Sequence, residues 1–94
     1  MFDIKYRDDQ SVVLSGRLDA SQVENARAVL EQVKGSCVID FHDLNYISSA
    51  GLGLLLATQK RLVEAGYKLK LVNLNQHIRD VFHYAGFDKI FEIG

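Results

Sequence analysis

Two adjacent serines, Ser48 and Ser49, stand where an apolar, strand-like run gives way to a helix-like one. Small residues follow them, and then comes the apolar segment Leu54-Leu55-Leu56-Ala57. Serine is favoured at the start of a helix because its hydroxyl accepts a hydrogen bond from an amide of the first turn. A phosphate at such a position meets free amides and the positive end of the helix dipole. The segment therefore predicts a serine that can carry a phosphate without unfolding the helix, although helix capping alone also explains the pair.

A catalytic serine is the enzymatic alternative for this segment. It would need a Gly-x-Ser-x-Gly turn together with a histidine and an acid. Ser49 has no preceding glycine of that kind, and a chain of 94 residues leaves little room for a substrate pocket. His77 and His83 are six residues apart on a predicted helix, which places them on different faces. We therefore expect this protein not to be an enzyme.

The glycines and histidines of the chain do not form a cofactor or metal motif. Gly51 and Gly53 match neither Gly-x-Gly-x-x-Gly nor a P-loop, because no Lys-Ser or Lys-Thr follows them. Close backbone approach at a helix start is the nearer explanation for both. His42, together with the two histidines of the third helix, lacks metal-ligand spacing. No cofactor and no metal are expected.

The composition favours a small globular domain and argues against a nucleic-acid-binding or membrane-spanning protein. The 94 residues are 48% hydrophobic and 24% charged, with a formal net charge of −1, which is typical of one small globular domain spanning residues 1–94. Nucleic-acid binding would call for a basic stripe, which is absent. No apolar run reaches the roughly 18 residues that span a bilayer. With one cysteine, Cys37, in an apolar run, we expect a cytoplasmic protein, monomeric when free, in which that thiol is buried.

The first half of the chain predicts two strands, a helix and a third strand. Residues 2–6 and 11–15 flank a polar turn and indicate a hairpin. Ser21 and Glu24 have the spacing of a capping box, so a helix is expected from there to about Lys34, with Gly35 as its stop. The apolar run 36–41 predicts a parallel strand buried on both faces, with Asp40 near its end and a turn after it.

The second half predicts a long helix, a strand, a helix and a short closing strand. Gly66 and Gly86 are expected to end the two helices, and Asn75 to cap the second of them. Residues 68–72 and 90–93 are the expected strands. Leu54 is expected to leave the buried stripe of the long helix, which would consist of Leu52, Leu55, Leu56, Leu62 and Val63. In the last helix the residues expected to face inward are Ile78, Val81, Phe82 and Ala85.

Together these elements run β-β-α-β-α-β-α with a possible last strand. Because helices alternate with strands, the fold class is α/β. We expect a mixed, mostly parallel sheet of four to five strands covered by about three or four helices.

The segment from Asp40 to Gly53 resembles the signature of the STAS domain, in its small bacterial anti-sigma factor antagonist form. That resemblance implies Ser49 as the phosphoacceptor, with Ser48, where many members carry Asp, as second choice. Upstream, Gly16-Arg17-Leu18-Asp19 resembles the Gly-Glu-Leu-Asp of many STAS domains, with Arg17 in place of the acid. The likeness extends over nearly the whole chain.

The resemblance implies a function as a phosphorylation switch. The unmodified protein would bind an anti-sigma factor with a GHKL-type serine kinase domain and so release a sigma factor. The kinase would then phosphorylate it, and a PP2C-type phosphatase would reset it; ATP and Mg²⁺ would belong to the kinase. The alternative is a constitutive STAS adaptor subunit of a signalling assembly or transporter complex, in which Ser49 serves as a cap or is only weakly phosphorylated.

Several further residues are expected at the same site. Asp19 and Asp40 are expected on one rim with Ser49, and Asp40 and Asp43 are expected to support the loop or contact a partner; Asx turns are an equal alternative. An apolar docking patch of Leu18 and Leu54 is hypothesised beside them. The full predicted partner interface is Leu18, Asp19, Ser48, Ala50, Gly51, Leu52 and Leu54.

Overall fold

Five strands form one sheet and lie side by side in chain order. They are β1 (Phe2–Tyr6), β2 (Ser11–Leu18), β3 (Cys37–Ile47), β4 (Leu69–Val72) and β5 (Glu92–Ile93). From β2 onward each pair of successive strands is connected by a helix, namely α1 (Val23–Leu30), α2 (Ser49–Glu64) and α3 (Gln76–Tyr84), with short 3-10 turns at Ala20–Gln22 and Phe87–Lys89. The structure, a computed structural model, describes residues 1–94. β1 and β2 form the predicted antiparallel hairpin, and all other neighbours are parallel. The predicted α/β class, with its mixed, mostly parallel sheet, is confirmed.

The core lies between one face of the sheet and the helices. Phe41 of β3 meets Phe82 of α3 edge-on, with ring centroids 5.9 Å apart, and both side chains are fully buried. Val38 on the opposite face is 38% exposed, and Lys70 beside it is only half-buried. The prediction that β3 is buried on both faces is therefore wrong. An apolar run of this length does not reveal how many faces of the sheet carry helices.

β3 is longer than predicted. It continues through the expected turn to Ile47 because β2 also extends, to Leu18, and the two strands stay paired to their ends. The register shifts twice along this pair, so β3 contains extra, bulged residues. Gly16 lies at the second shift with a φ of +84°, where a Cβ would fall 1.8 Å from the carbonyl oxygen of Met1. Only glycine fits there.

The start of α1 differs from the predicted capping box. Asp19, not Ser21, is the capping residue: its carboxylate accepts a hydrogen bond from the Ser21 amide at 3.0 Å and opens the 3-10 turn that precedes α1. The residue immediately before α1, Gln22, provides no side-chain cap. Asp and Ser are both good caps, and their spacing of two residues allowed either assignment.

The end of α1 is held by another helix. α1 stops at Leu30 rather than at Lys34, and Gly35 does not adopt the left-handed conformation. Arg61 of α2 donates from Nη2 to the carbonyl oxygen of Leu30 at 2.8 Å and from Nη1 to that of Val33 at 2.9 Å. The Leu30 carbonyl also accepts from the Val33 amide at 3.1 Å, so Arg61 adds a second donor there and gives the Val33 carbonyl a partner beyond the helix end. A contact between residues so far apart could not be read from the sequence.

The ends of α2 and α3 agree with the sequence. Gly66 and Gly86 follow them with φ of +87° and +75°, as the predicted helix stops. Asn75 caps α3, accepting from the Ile78 amide at 2.9 Å, and its side-chain amide donates to the carbonyl oxygen of Leu44 at 3.2 Å. Asn75 thus fixes α3 to the distal part of β3.

The buried stripe of α2 is rotated from the predicted one. Leu54 is 4% exposed and so belongs to the core, whereas Val63 is 54% exposed and Leu56 half-buried. The reason is that α1 packs against α2 on the side that carries Leu54. Leu30 of α1 and Leu54 of α2 line the same cleft between the two helices. In α3, Ala85 is exposed, contrary to expectation. The buried residues of α2 are Gly51, Leu52, Leu54, Leu55, Thr58 and Leu62.

The single cysteine is buried, as predicted. Cys37 is 4% exposed at the start of β3. Burial raises the pKa of its thiol to about 11. Since the thiolate is the reactive form, this cysteine is an inert packing residue.

Candidate functional site

The end of β2 and the start of α2 meet at one point of the surface. Leu18 and Ile47 are paired at the ends of β2 and β3, and the next residue, Ser48, donates its amide hydrogen to the carbonyl oxygen of Leu18 at 2.9 Å. Asp19 follows Leu18 directly. Asp19 therefore lies at the same end of β2 as the serine pair.

The two serines do different things at this point. Ser48 is the N-cap of α2, half-buried, and its Oγ accepts a hydrogen bond from the Gly51 amide at 3.1 Å. Ser49 is the first residue of the helix and is exposed, as is Ala50 after it. The Ser49 hydroxyl takes no part in the cap. Ser49 is thus the more exposed of the two serines, and it lies next to amides of the first turn that have no partner within the helix.

Gly51 allows the helix to start this close to the sheet. A Cβ there would lie 2.9 Å from Cγ1 of Ile47 and 3.0 Å from Cγ of Leu18. At Gly53, by contrast, a Cβ would meet nothing within 4 Å. Close backbone approach, one explanation offered for both glycines, is confirmed for Gly51 and wrong for Gly53.

The predicted apolar docking patch is not on the surface. Leu18 is fully buried and Leu54 is 4% exposed, because both fill the core between α2 and the sheet. Gly51 and Leu52, also named as interface residues, are buried as well. These buried residues support the exposed start of α2 and are not themselves exposed to a partner.

The Asp19 carboxylate is fixed and ionised. It accepts hydrogen bonds from the amide and the hydroxyl of Ser21. The hydroxyl bond is the main cause of a lowered pKa of Asp19, to which the nearby charge of Arg17 adds. At neutral pH the rim therefore carries a negative charge at Asp19.

Asp40 and Asp43 lie away from this rim, contrary to expectation. Asp40 pairs with Val13 and Ile47 with Leu18, so five residues of β2, or about 16 Å, separate the two levels. The Asp40 carboxylate accepts from the His42 amide at 2.8 Å and from Asn73 Nδ2 at 3.1 Å.

These bonds give Asp40 a structural role at the bulge of β3, and the turn-stabilising alternative is the one observed. Asp43 is exposed, with one carboxylate oxygen 3.7 Å from Nε2 of His42. Because β3 does not end where the sequence suggested, neither acid reaches Ser49.

One pair of side chains at the rim was not predicted as a site. Arg17 and Tyr46 are partners across β2 and β3, and the Arg17 guanidinium carbon lies 4.2 Å from the centre of the Tyr46 ring. The sequence contains one indication of this pair, which is that Arg17 occupies the position of the acidic residue in the Gly-Glu-Leu-Asp pattern. Tyr46 gave none, because it lies in the stretch expected to be a turn.

The surface at Ser49 is not a cavity. The larger of the two depressions in the structure, about 470 Å³, lies at the opposite edge of the sheet, beside the starts of the parallel strands at Cys37 and Lys68. No group of three or more His, Cys, Asp or Glu side chains is placed to hold a metal ion. None of the helices has both the length and the apolar character of a membrane span. An open surface suits a protein partner better than a small molecule.

Comparisons with known proteins agree on one family. A family model described as "Mlab, STAS domain" matches residues 4–92. The putative anti-sigma factor antagonist BtrV of Bordetella bronchiseptica is 37% identical over 84 residues, covering 89% of this chain and 72% of BtrV. The anti-sigma-B factor antagonist of Listeria monocytogenes is 31% identical over 97 residues, covering 97% and 85%. The structure of the Bacillus cell fate determinant SpoIIAA in the phosphorylated form has the same fold, with a TM-score of 0.71, 24% identity, and coverage of 100% of this chain and 91% of that one.

Proposed function

This chain belongs to the STAS domain family, among its anti-sigma factor antagonists, and from that premise we propose that it is a phosphorylation-controlled antagonist. Unmodified, it binds an anti-sigma factor through the surface at the start of α2; phosphorylation of Ser49 ends that binding. One observation carries the choice of residue: the Ser48 hydroxyl is used as the helix cap, and the Ser49 hydroxyl is exposed beside it.

The fold tolerates a phosphate at Ser49. Phosphorylation adds about −1.5 to −2 charges and three acceptor oxygens. At the first position of α2 these face the helix dipole and unpartnered amides, which stabilise negative charge. The modification therefore acts on what Ser49 touches in a complex, while the folded state of the free protein is kept.

A bound partner makes the same phosphate costly. An interface that covers Ser49 and Ala50 removes water from this surface, and a doubly charged group trapped there without compensation opposes binding. About 3 kcal/mol of differential affinity changes occupancy more than a hundredfold. Repulsion at one covered contact is of this order, so a single modified residue suffices as a switch.

The interface is built from the exposed groups of the rim. Ser49, Ala50 and the open backbone at Gly53 give a flat surface of small residues, and Asp19 and Ser48 border it. The buried leucines predicted for the interface, Leu18, Leu52 and Leu54, set the position of this surface. Small side chains allow a partner's backbone or a kinase active site to come close to the serine.

The proposal includes the kinase that phosphorylates Ser49 and the phosphatase that removes the phosphate. The partner is an anti-sigma factor with a GHKL-type serine kinase domain, which would supply ATP and Mg²⁺, and a PP2C-type phosphatase would reverse the reaction. Sigma factors act on transcription, so we place the protein in the cytoplasm as a transcription regulator. This chain contributes the acceptor hydroxyl and performs no catalysis.

The test compares capture of partners from native lysate by wild type, Ser49→Ala and Ser49→Asp. Lys60→Asp, at an exposed position of the same helix outside the proposed interface, is the control and should bind as wild type does. Captured proteins are identified by mass spectrometry, and the anti-sigma factor is then purified for titration. We expect wild type and Ser49→Ala to bind it equally and Ser49→Asp to bind at least about a hundredfold more weakly. Equal binding by all the Ser49 variants would reject the switch and leave a constitutive adaptor.

A further inference from the structure

Arg17 is the one arginine whose guanidinium is held in place by an aromatic ring alone. It stacks on Tyr46 at 4.2 Å, on the strand pair that ends at Leu18 and Ile47. Leu18 and Ile47 are buried, and side chains alternate along a strand, so Arg17, the residue before Leu18, projects away from the core. Arg17 is exposed, and it precedes by one residue the Leu18 whose carbonyl oxygen accepts from the Ser48 amide.

The other arginines of the folded elements use their guanidinium groups within the protein. Arg27 pairs with Glu24, and Arg61 and Arg79 donate to carbonyl oxygens. Arg17 has no carboxylate within 4.0 Å and donates no side-chain hydrogen bond. Stacking fixes the guanidinium plane and leaves its five donors free. A pre-positioned, unpaired cation at a rim is an anchor for an anion.

We infer that Arg17 is a specificity-determining residue of the interface and pairs with a carboxylate side chain of the anti-sigma factor. The inference rests on the proposed function and deepens it. A carboxylate matches the planar guanidinium in a bidentate pair. Arg and Tyr are also the residue types most often responsible for binding energy at interfaces.

Asp19, two residues further, gives the rim a second, opposite charge. Its carboxylate is fixed by Ser21, and Arg17 helps to keep its pKa low. The rim therefore presents a positive group at Arg17 and a negative group at Asp19. A partner must carry the reverse arrangement to avoid a like-charge contact, and this is how charge selects one partner over another.

The test is a charge exchange between the two proteins. The probe is the purified anti-sigma factor identified by capture with the wild-type chain. All variants carry Ser49→Ala so that phosphorylation does not intervene. Arg17→Glu should weaken binding about a hundredfold or more and Arg17→Ala about tenfold, with a shallower dependence on salt. Tyr46→Leu, which removes the stacking surface, should weaken it severalfold. Arg7→Glu, in the β1–β2 turn, is the matched control and should bind as the parent does.

A compensating charge change in the anti-sigma factor tests whether Arg17 pairs with a carboxylate of that partner. Each exposed carboxylate residue of the anti-sigma factor is changed to Arg in turn, and one such change should restore binding of Arg17→Glu to within about tenfold of the parent. Thermal melting confirms that the variants are folded. Unchanged binding by Arg17→Glu, or a loss that no carboxylate change restores, would overturn the inference and leave the Ser49 switch standing. If the wild-type chain captures no anti-sigma factor, both proposals fail.

Discussion

The amide of Ser48 donates to the carbonyl oxygen of Leu18 at 2.9 Å, and this bond joins the last residue of β2 to the residue that caps α2. Residues thirty positions apart in the sequence thereby form one surface. The bond sets the distance from Asp19 to the serine pair and leaves Ser49 to begin the helix. The proposed switch site is thus a junction between two elements, held by a backbone hydrogen bond as well as by side chains.

Alanine substitutions of the two serines should differ in their effect on the free energy of unfolding, because only the Ser48 hydroxyl caps α2. Ser48→Ala removes the acceptor for the Gly51 amide and should lower the free energy of unfolding by about 1 kcal/mol. Ser49→Ala should change it by less than about 0.5 kcal/mol, since its exposed hydroxyl caps nothing. Urea unfolding followed by circular dichroism measures both. A larger loss for Ser49→Ala would show that the cap has been assigned to the wrong serine.

The two glycines of α2 should respond oppositely to alanine. Gly53→Ala adds a methyl group in open space within a helix and should stabilise the protein by up to about 1 kcal/mol. Gly51→Ala drives a methyl group against Ile47 and Leu18, and the overlap, at about 1–3 kcal/mol, should outweigh the gain in helix propensity. Thermal melts of the two single variants give the comparison. A stabilised Gly51→Ala would mean that α2 can move away from the sheet.

Arg61 should stabilise the protein through the end of α1. Arg61→Met keeps the aliphatic part of the side chain and removes both bonds to the carbonyl oxygens of Leu30 and Val33. We expect a loss of about 1–2 kcal/mol of unfolding free energy. Lys60→Met, at an exposed position of the same helix, is the control and should change little. Comparable losses for the two variants would argue against a capping role for Arg61.

The pair of His83 and Asp88 should give a pH-dependent contribution to stability. The hydrogen bond and charge of Asp88, 2.8 Å away, raise the pKa of His83, and the bond to His83 lowers the pKa of Asp88. The histidine contribution is complete below its ordinary pKa of about 6.5 and is lost as pH rises through the higher folded value. The aspartate contribution is present above its ordinary value, 3.8, and is lost as pH falls through the lower folded one.

The pair is therefore at full strength between about pH 4 and 6.5. NMR titration of the His83 ring should show a midpoint that falls when Asp88 is changed to Asn. Stability curves of wild type and Asp88→Asn should converge at both ends of the pH range. A His83 midpoint that is indifferent to this change would contradict the pairing. Both groups are solvent-exposed, so the effect should also shrink in high salt.

Much of the fold follows from local chemistry. The hairpin, the helix stops at Gly66 and Gly86, and the Asn75 cap depend on residues close in sequence, and all were predicted. Some mistakes are local, such as the choice of Ser21 over Asp19 as the cap, but the larger ones arise where a distant element sets the structure. β3 runs on to Ile47 because β2 extends beside it, and α1 ends at Leu30, where Arg61 of α2 donates to the carbonyl oxygens of Leu30 and Val33.

The sequence by itself determined the fold class, the family, and the serine pair at a helix start. Motif spacing and hydrophobic period are properties of the chain, so they needed no coordinates. Tertiary structure alone decided that Leu18 and Leu54 are buried, that Asp40 lies about 16 Å from the rim, and that Arg17 rests on Tyr46. Each of these depends on which face of an element a neighbour covers and on strand register. Covered faces and strand register are set by packing between segments that are distant in the sequence, and the local preferences of the residues for helix or strand do not determine them.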